Sequence, residues 1–218
     1  MSGFKLAIDG PAGSGKSTIS AQIAHRLGWT HIDTGAMYRA VTLKALELGI
    51  DLYDESAYRF LESIFIHYDK DRIYIDHRDV TEDIRSEAVT LNVSLVSSFP
   101  YVREKLVILQ KEAAKTGNII MDGRDIGTVV LPDADLKLFL TANVEERAKR
   151  RHKEHLKKGK SASITTLIEE IETRDKKDST RKASPLRKAD DAIIIDTTHL
   201  NIDQVVDKIV DLLRSGGE

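Results

Sequence analysis

Gly10-Pro11-Ala12-Gly13-Ser14-Gly15-Lys16-Ser17-Thr18 decides the fold of this 218-residue chain. The run fits the spacing G-x-x-x-x-G-K-[ST], in which glycines clear side chains away and consecutive backbone N–H groups curl around a polyphosphate. In that arrangement Lys16 reaches the β- and γ-phosphates and the Ser17 hydroxyl faces a Mg²⁺ ion. The flanks agree with this reading. Phe4-Lys5-Leu6-Ala7-Ile8 reads as a buried strand, and Ile19, Ile23, Ala24 and Leu27 fall at helical spacing. A strand–loop–helix of this kind aims the positive helix N-terminus at the phosphates. The nine residues of the run are therefore the candidate nucleoside triphosphate site.

Outward from the loop, apolar runs alternate with helical patterns, the sign of an α/β fold with a parallel sheet core flanked by helices. Candidate strands are Leu6–Asp9, Thr30–Asp33, Ile119–Asp122, Leu136–Leu140 and Ile193–Asp196. Candidate helices are Lys16–Leu27, Ala36–Leu48, Tyr101–Lys115, Val144–Lys158, Ile164–Arg174 and Ile202–Leu213. Several strands end in aspartate, as expected where a sheet opens onto a polar site at its carboxyl edge. Two stretches break the rhythm. Residues 65–75 read as a hairpin inside an insertion from about Asp51 to Pro100, and Glu145 to Ser184 reads as two exposed helices and a moving loop.

With a 31% charged fraction, 41% hydrophobic residues and a formal charge of −2, the chain reads as a soluble globular protein without general affinity for nucleic acid. It contains no cysteine, which removes disulfide and thiolate chemistry. No apolar run is long enough to cross a membrane, no signal peptide is expected, and a cytoplasmic location follows. No heptad or long apolar stripe calls for a second copy, so a monomer is expected. None of the seven histidines has metal-ligand spacing, and each reads as surface or core.

The loop alone leaves a GTPase, an ATPase and a kinase open; the lack of an Asn-Lys-x-Asp run lowers the first. Arginine narrows the choice. Arg39, Arg103, Arg124, Arg174 and Arg181 each lie beside turn-forming or acidic residues, and a guanidinium is a planar fork suited to phosphate oxygens. Five of them from separate segments suggest a second anionic substrate facing the first.

Four further stretches make the reading specific. They are Asp33-Thr34-Gly35-Ala36-Met37-Tyr38-Arg39, Val80-Thr81-Glu82-Asp83-Ile84-Arg85 with Phe99-Pro100-Tyr101-Val102-Arg103, Asp122-Gly123-Arg124-Asp125-Ile126-Gly127-Thr128, and Arg174-Asp175-Lys176-Lys177-Asp178-Ser179-Thr180-Arg181. In this order they resemble the signatures of bacterial-type cytidylate kinases, over almost the whole chain. The resemblance implies a P-loop nucleoside monophosphate kinase fold in one domain. Its core would be about 1–33, 116–144 and 185–218, with a substrate-binding region about 34–115 and a mobile helical lid about 145–184. It implies transfer of a phosphoryl group from ATP to CMP or dCMP, with Mg²⁺ as cofactor. Carried over residue by residue, Ser94, Arg103 and Asp125 would read the cytosine edge. Arg39, Arg124 and Arg181 would hold the acceptor phosphate, and Thr34, Arg174 and Asp178 the sugar. Lys16, Arg124, Arg174 and Arg181 would serve catalysis.

Asp122 resembles a Walker-B carboxylate reaching Mg²⁺ through water, beside Ser17, but a structural strand-end aspartate fits equally well. Asp9 raises the same pair of readings, the structural one favoured. Arg147, Arg150 and Arg151 read as a solvated helix face, with a contact from one of them to the donor nucleotide as the alternative, and the basic run Lys153–Lys160 reads as solvated too. Two competing functions remain at this stage. One keeps the fold and changes the acceptor to UMP, AMP, dTMP or a small metabolite; the intact trio Ser94, Arg103 and Asp125 speaks for cytosine. The other is a nucleotide-dependent regulator or RNA-binding module using Arg147 to Lys160; the acceptor-side arginines speak against it.

Overall fold

The computed structural model describes residues 3–69, 71–157, 159 and 161–215; Lys70 of the predicted hairpin, and Lys158 and Lys160 of the basic run, lie outside the described residues. Five strands, β1 (Lys5–Asp9), β2 (Thr30–Asp33), β6 (Ile119–Gly123), β7 (Leu136–Thr141) and β8 (Ile193–Asp196), form a parallel sheet in the order β2-β6-β1-β7-β8. Parallel strands need crossovers, and these place helices on both faces. The period of two sorts the side chains. Leu6 and Ile8 pack with Ile19, Ile23, Leu138, Ile195 and Ile209 on one face, whereas Ala7 joins Ile32, Met121 and Ile126 on the other. Helices α1 (Lys16–Leu27) and α7 (Ile202–Arg214) cover the first face.

Helix α2 (Thr34–Glu47) begins two residues before the sequence pattern suggests. The reason is local: Asp33 caps it, accepting from the Ala36 N–H at 3.2 Å. The insertion then builds a second core. Beyond a 3₁₀ stretch, Glu55–Glu62, come β3 (Ile66–Asp69), β4 (Arg72–Ile75) and β5 (Arg78–Asp79), an antiparallel sheet with the expected hairpin at its start. Two helices follow, α3 (Glu87–Val96) and α4 (Pro100–Ala113). Helix α3 has no counterpart in the sequence reading, because its Val- and Thr-rich run suits a strand as well as a helix. Tyr58, Ile73, Ile84, Val93 and Leu106 meet Tyr38 and Val41 of α2, so this unit is fused to the main body through α2.

Helices α5 (Val144–Lys157) and α6 (Ile164–Thr180) pair through a small cluster of Ala148, Leu167 and Ile171. α6 extends six residues past the predicted end at Arg174, which places Asp178 on the helix and Arg181 at its cap. No helix among the described residues is long and apolar enough to cross a membrane.

Candidate nucleotide and phosphate site

The site occupies the carboxyl edge of the five-stranded sheet. The loop after β1 turns through three glycines with positive φ, Gly10 at 151°, Gly13 at 75° and Gly15 at 91°. At Gly10 a side chain is also sterically excluded, since a Cβ would lie 2.0 Å from the Leu140 carbonyl oxygen. The Ser14 hydroxyl donates to the Pro11 carbonyl at 3.1 Å, closing the loop. Lys16 is buried and donates to the Pro11 carbonyl at 2.8 Å and to Ser14 Oγ at 3.2 Å. Burial, then the Arg124 guanidinium, hold its ammonium well below the ordinary lysine value, against the pull of Asp122 and Asp9. A cation kept in that state gains from an anion placed beside it. Ala12 is covered by the loop, and Ser17 and Thr18 lie exposed on the first turn of α1.

Asp122, the last residue but one of β6, lies directly beside this loop. Its Oδ2 accepts from the Ser17 hydroxyl at 2.8 Å, and its Oδ1 lies 2.6 Å from His31 Nε2. Its backbone carbonyl accepts from the Thr34 hydroxyl at 2.9 Å. Burial alone would lower the His31 pKa, but the hydrogen bond and charge of Asp122, with Asp33 and Asp71, raise it. His31 therefore belongs to the site, contrary to its reading as a plain surface or core histidine; no spacing in the sequence marks it. Burial and the nearby Asp122 raise the Asp33 carboxyl. A hydroxyl facing a carboxylate at the phosphate loop is a hard oxygen donor set, which suits Mg²⁺ sharing its shell with phosphates and water. No group of three or more His, Cys, Asp or Glu side chains among the described residues forms a self-contained metal cage.

Asp9 takes the structural role. It accepts from the Ile126 and Gly127 N–H groups at 2.8 Å each and so anchors a single π-type turn, Ile126–Val130, that follows the acidic–basic run at 122–125.

On the far side of the loop the predicted arginines converge. Asp178 Oδ2 accepts from Arg124 Nε at 2.9 Å, and Arg181 approaches Asp178 Oδ1 at 4.0 Å. Arg174 Nε is buried without a hydrogen-bond partner among the described residues. Burial, then Arg124, push the Arg174 pKa down to about 9. Arg39 donates to Thr90 Oγ1 at 3.0 Å, and burial lowers it too, with Arg85, Arg151 and Arg124 adding repulsion. Arginines that are buried and repel one another are a suitable setting for an anion.

Beyond them lies a second, drier network. Arg103 Nη2 meets Asp125 Oδ2 at 2.5 Å, with 3% and 5% of the two side chains exposed. Its Nη1 donates to the Ser97 carbonyl at 3.0 Å, one turn of α3 from Ser94. Arg181 reaches the other Asp125 oxygen at 3.5 Å, and Arg103 stacks over the Tyr38 ring at 5.1 Å. The structure thus gathers Arg103, Asp125, Arg124, Asp178 and Arg181 into one ion-pair chain; half-buried Ser94 is linked to it through Ser97, whose hydroxyl donates to the Ser94 carbonyl at 3.3 Å.

The reading of Arg147, Arg150 and Arg151 as a solvated face is corrected. Arg147 is buried; it donates to the Ala12 and Ala142 carbonyls at 3.0 Å and pairs with Asp175, which itself accepts from the Ala12 N–H at 3.0 Å. Arg150 donates to Thr197 at its hydroxyl, 3.0 Å, and its carbonyl, 2.6 Å. Arg151 pairs with Glu170 across to α6 at 3.3 Å. Charge density made this helix look solvated, whereas its arginines bind the phosphate loop and its neighbours.

Known proteins place this geometry. The family model described as "Cytidylate kinase" matches residues 6–215. The chain is 64% identical over 215 residues to the "Cytidylate kinase" of Acholeplasma laidlawii (strain PG-8A), covering 99% of this chain and 97% of that one. It is 52% identical over 217 residues to that of Exiguobacterium sibiricum, covering 97% of each. Among solved structures, a shikimate kinase from Acinetobacter baumannii in complex with shikimate shares the fold at a TM-score of 0.50 and 14% identity, covering 98% of this chain and 94% of that one. A gluconokinase from Sinorhizobium meliloti 1021 does so at 0.50 and 13%, covering 99% and 94%.

Proposed function

Because this chain belongs to the cytidylate kinase family, we propose that it transfers the γ-phosphoryl group of ATP to CMP or dCMP, with Mg²⁺, as a monomer in the cytoplasm. Residues 10–18 and Lys16 receive the triphosphate. Arg39, Arg124 and Arg181 take the acceptor phosphate, and Thr34, Arg174 and Asp178 face its sugar. The Thr34 hydroxyl spends its hydrogen on the Asp122 carbonyl, so it meets the sugar as an acceptor. Ser94, Arg103 and Asp125 read the base: carboxylate and hydroxyl accept from the exocyclic amine, and the guanidinium donates to the ring acceptors.

The reaction forms one P–O bond, from a CMP phosphate oxygen to the γ-phosphorus, and breaks the bond from that phosphorus to ADP. A monophosphate loses its second proton near pH 6, so the attacking oxygen is already anionic at neutral pH and no side chain must remove a proton. The protein contributes alignment and positive charge: Lys16 on the donor, with Arg124, Arg174 and Arg181 around the transferred group. Ser17 and Asp122, the latter through water, would hold the Mg²⁺, which supplies charge neutralisation at the β- and γ-phosphates. The paired helices α5 and α6 close over the site and exclude water, which would otherwise accept the phosphoryl group.

The buried Arg103–Asp125 pair carries the choice of cytosine, because a phosphate needs only cations and this pair adds a carboxylate. Asp125→Asn is therefore expected to raise the KM for CMP about tenfold or more and to erode the preference for CMP over UMP, leaving the KM for ATP within about twofold. Steady-state kinetics, with a thermal melt to confirm folding, check this. An equal rise in both KM values would assign Asp125 to structure.

A further inference from the structure

His31 sits on β2, the edge strand of the sheet, and belongs to none of the motifs above. Its Nε2 nevertheless lies 2.6 Å from Asp122 Oδ1, while the other carboxylate oxygen accepts from Ser17 at 2.8 Å. Only 14% of the His31 side chain and 3% of the Asp122 side chain are exposed. The terminal torsion of an aspartate is soft, so one bond from Ser17 would leave the carboxylate free to turn. A second donor on the opposite oxygen removes that freedom. Orientation matters here for a chemical reason. A serine that gives its only hydrogen to Asp122 directs its lone pairs elsewhere, and lone pairs are what a hard cation takes. Asp33 pairs with Asp122 in the sheet register, and Asp71 adds further negative charge, so His31 is the donor in an otherwise acidic corner.

Resting on the reading of Ser17 and Asp122 as the Mg²⁺-facing pair, we infer that His31 is a positioning residue for the metal–nucleotide site. Its Nε2–H holds the Asp122 carboxylate with Oδ2 turned to Ser17 and the phosphate loop. A neutral imidazole can make this donation, so the role does not depend on a charged ring. Partners of this kind, one step removed from a metal, commonly account for 10- to 100-fold in metal affinity.

The test compares His31→Leu, which removes the donor, with His31→Gln, which keeps an N–H at similar reach. Mn²⁺ is titrated against enzyme saturated with ATP, without acceptor, and free Mn²⁺ is followed by electron paramagnetic resonance. Because no acceptor is present, the result stands apart from which nucleotide receives the phosphoryl group. The expected result is an Mn²⁺ dissociation constant raised about tenfold or more in His31→Leu and recovered to within about threefold in His31→Gln. The Mg²⁺ concentration for half-maximal turnover should shift in parallel while the KM for CMP holds. Wild-type Mn²⁺ affinity in His31→Leu, or equal losses in both variants, would reduce His31 to a packing residue. Should His31→Leu melt below the assay temperature, His31→Asn, too short to span to Asp122, replaces it with the same two outcomes.

Discussion

Asp9 ends β1, Asp122 stands one residue before the end of the adjacent parallel strand β6, opposite Ile8, and their surroundings give them different work. Asp122 meets a hydroxyl and an imidazole; Asp9 meets two backbone N–H groups and the wall of the core. Burial raises the Asp9 pKa from 3.8 to about 6, despite the opposing hydrogen bonds from Gly127 and Ile126. The sign follows from linkage. Between those values the folded protein binds more protons at Asp9 than the unfolded chain, so its contribution to stability is full below the lower value and is lost as pH rises through the higher one. Between pH 5 and 7 wild type should lose on the order of 1 kcal/mol relative to Asp9→Asn. Urea midpoints at several pH values check this; parallel pH curves for the two proteins would contradict it. The chain shows both residues as strand-end aspartates, and nothing in their immediate neighbours in sequence separates the roles. What separates them arrives from residues far along the chain, Ile126 for one and His31 for the other.

At the scale of elements, the pair α5–α6 is tied to the phosphate loop at Ala12. Arg147 of α5 holds the Ala12 carbonyl, Asp175 of α6 holds its N–H, and the two side chains pair with each other. Loop and helices therefore share one hydrogen-bond unit. Asp175→Ala should speed amide exchange across α5 and α6 by about tenfold, the equivalent of one lost charge-assisted bond, while β1 keeps its protection. Hydrogen exchange by mass spectrometry reads both at once; unchanged helices would show that the tether carries no stability. α5 was legible in the sequence from periodicity to within one residue, and α6 at its start, whereas the end of α6 lies six residues beyond the predicted Arg174. Their attachment was not legible, because a dense run of Arg, Lys and Glu has the same composition whether it faces water or a loop of backbone carbonyls. α3 escaped for another reason: its β-branched run is ambiguous between helix and strand until the insertion packs around Val93 and Val96.

At the scale of the molecule, the order of the work follows the order of the chain. Strand β1 leads into the phosphate loop, α4 supplies Arg103, and β6 with the turn after it supplies Asp122, Arg124 and Asp125 between them. The end of α6 brings Arg181 to the same carboxylate that Arg103 holds, so this buried network draws on segments on both sides of β6. The phosphate loop and the arginine set were readable from residue types and spacing, since each demands particular chemistry at a particular place. The trio expected to face cytosine was readable only through its resemblance to a family, and the structure joins two of its members, Arg103 and Asp125, directly. On that network rests the choice of acceptor. Its most direct test is ADP release with Mg-ATP and, in turn, CMP, dCMP, UMP, AMP and no acceptor. Turnover with CMP and dCMP far above the rest is the predicted result. A preference for UMP or AMP, or ADP release without any acceptor, would contradict it.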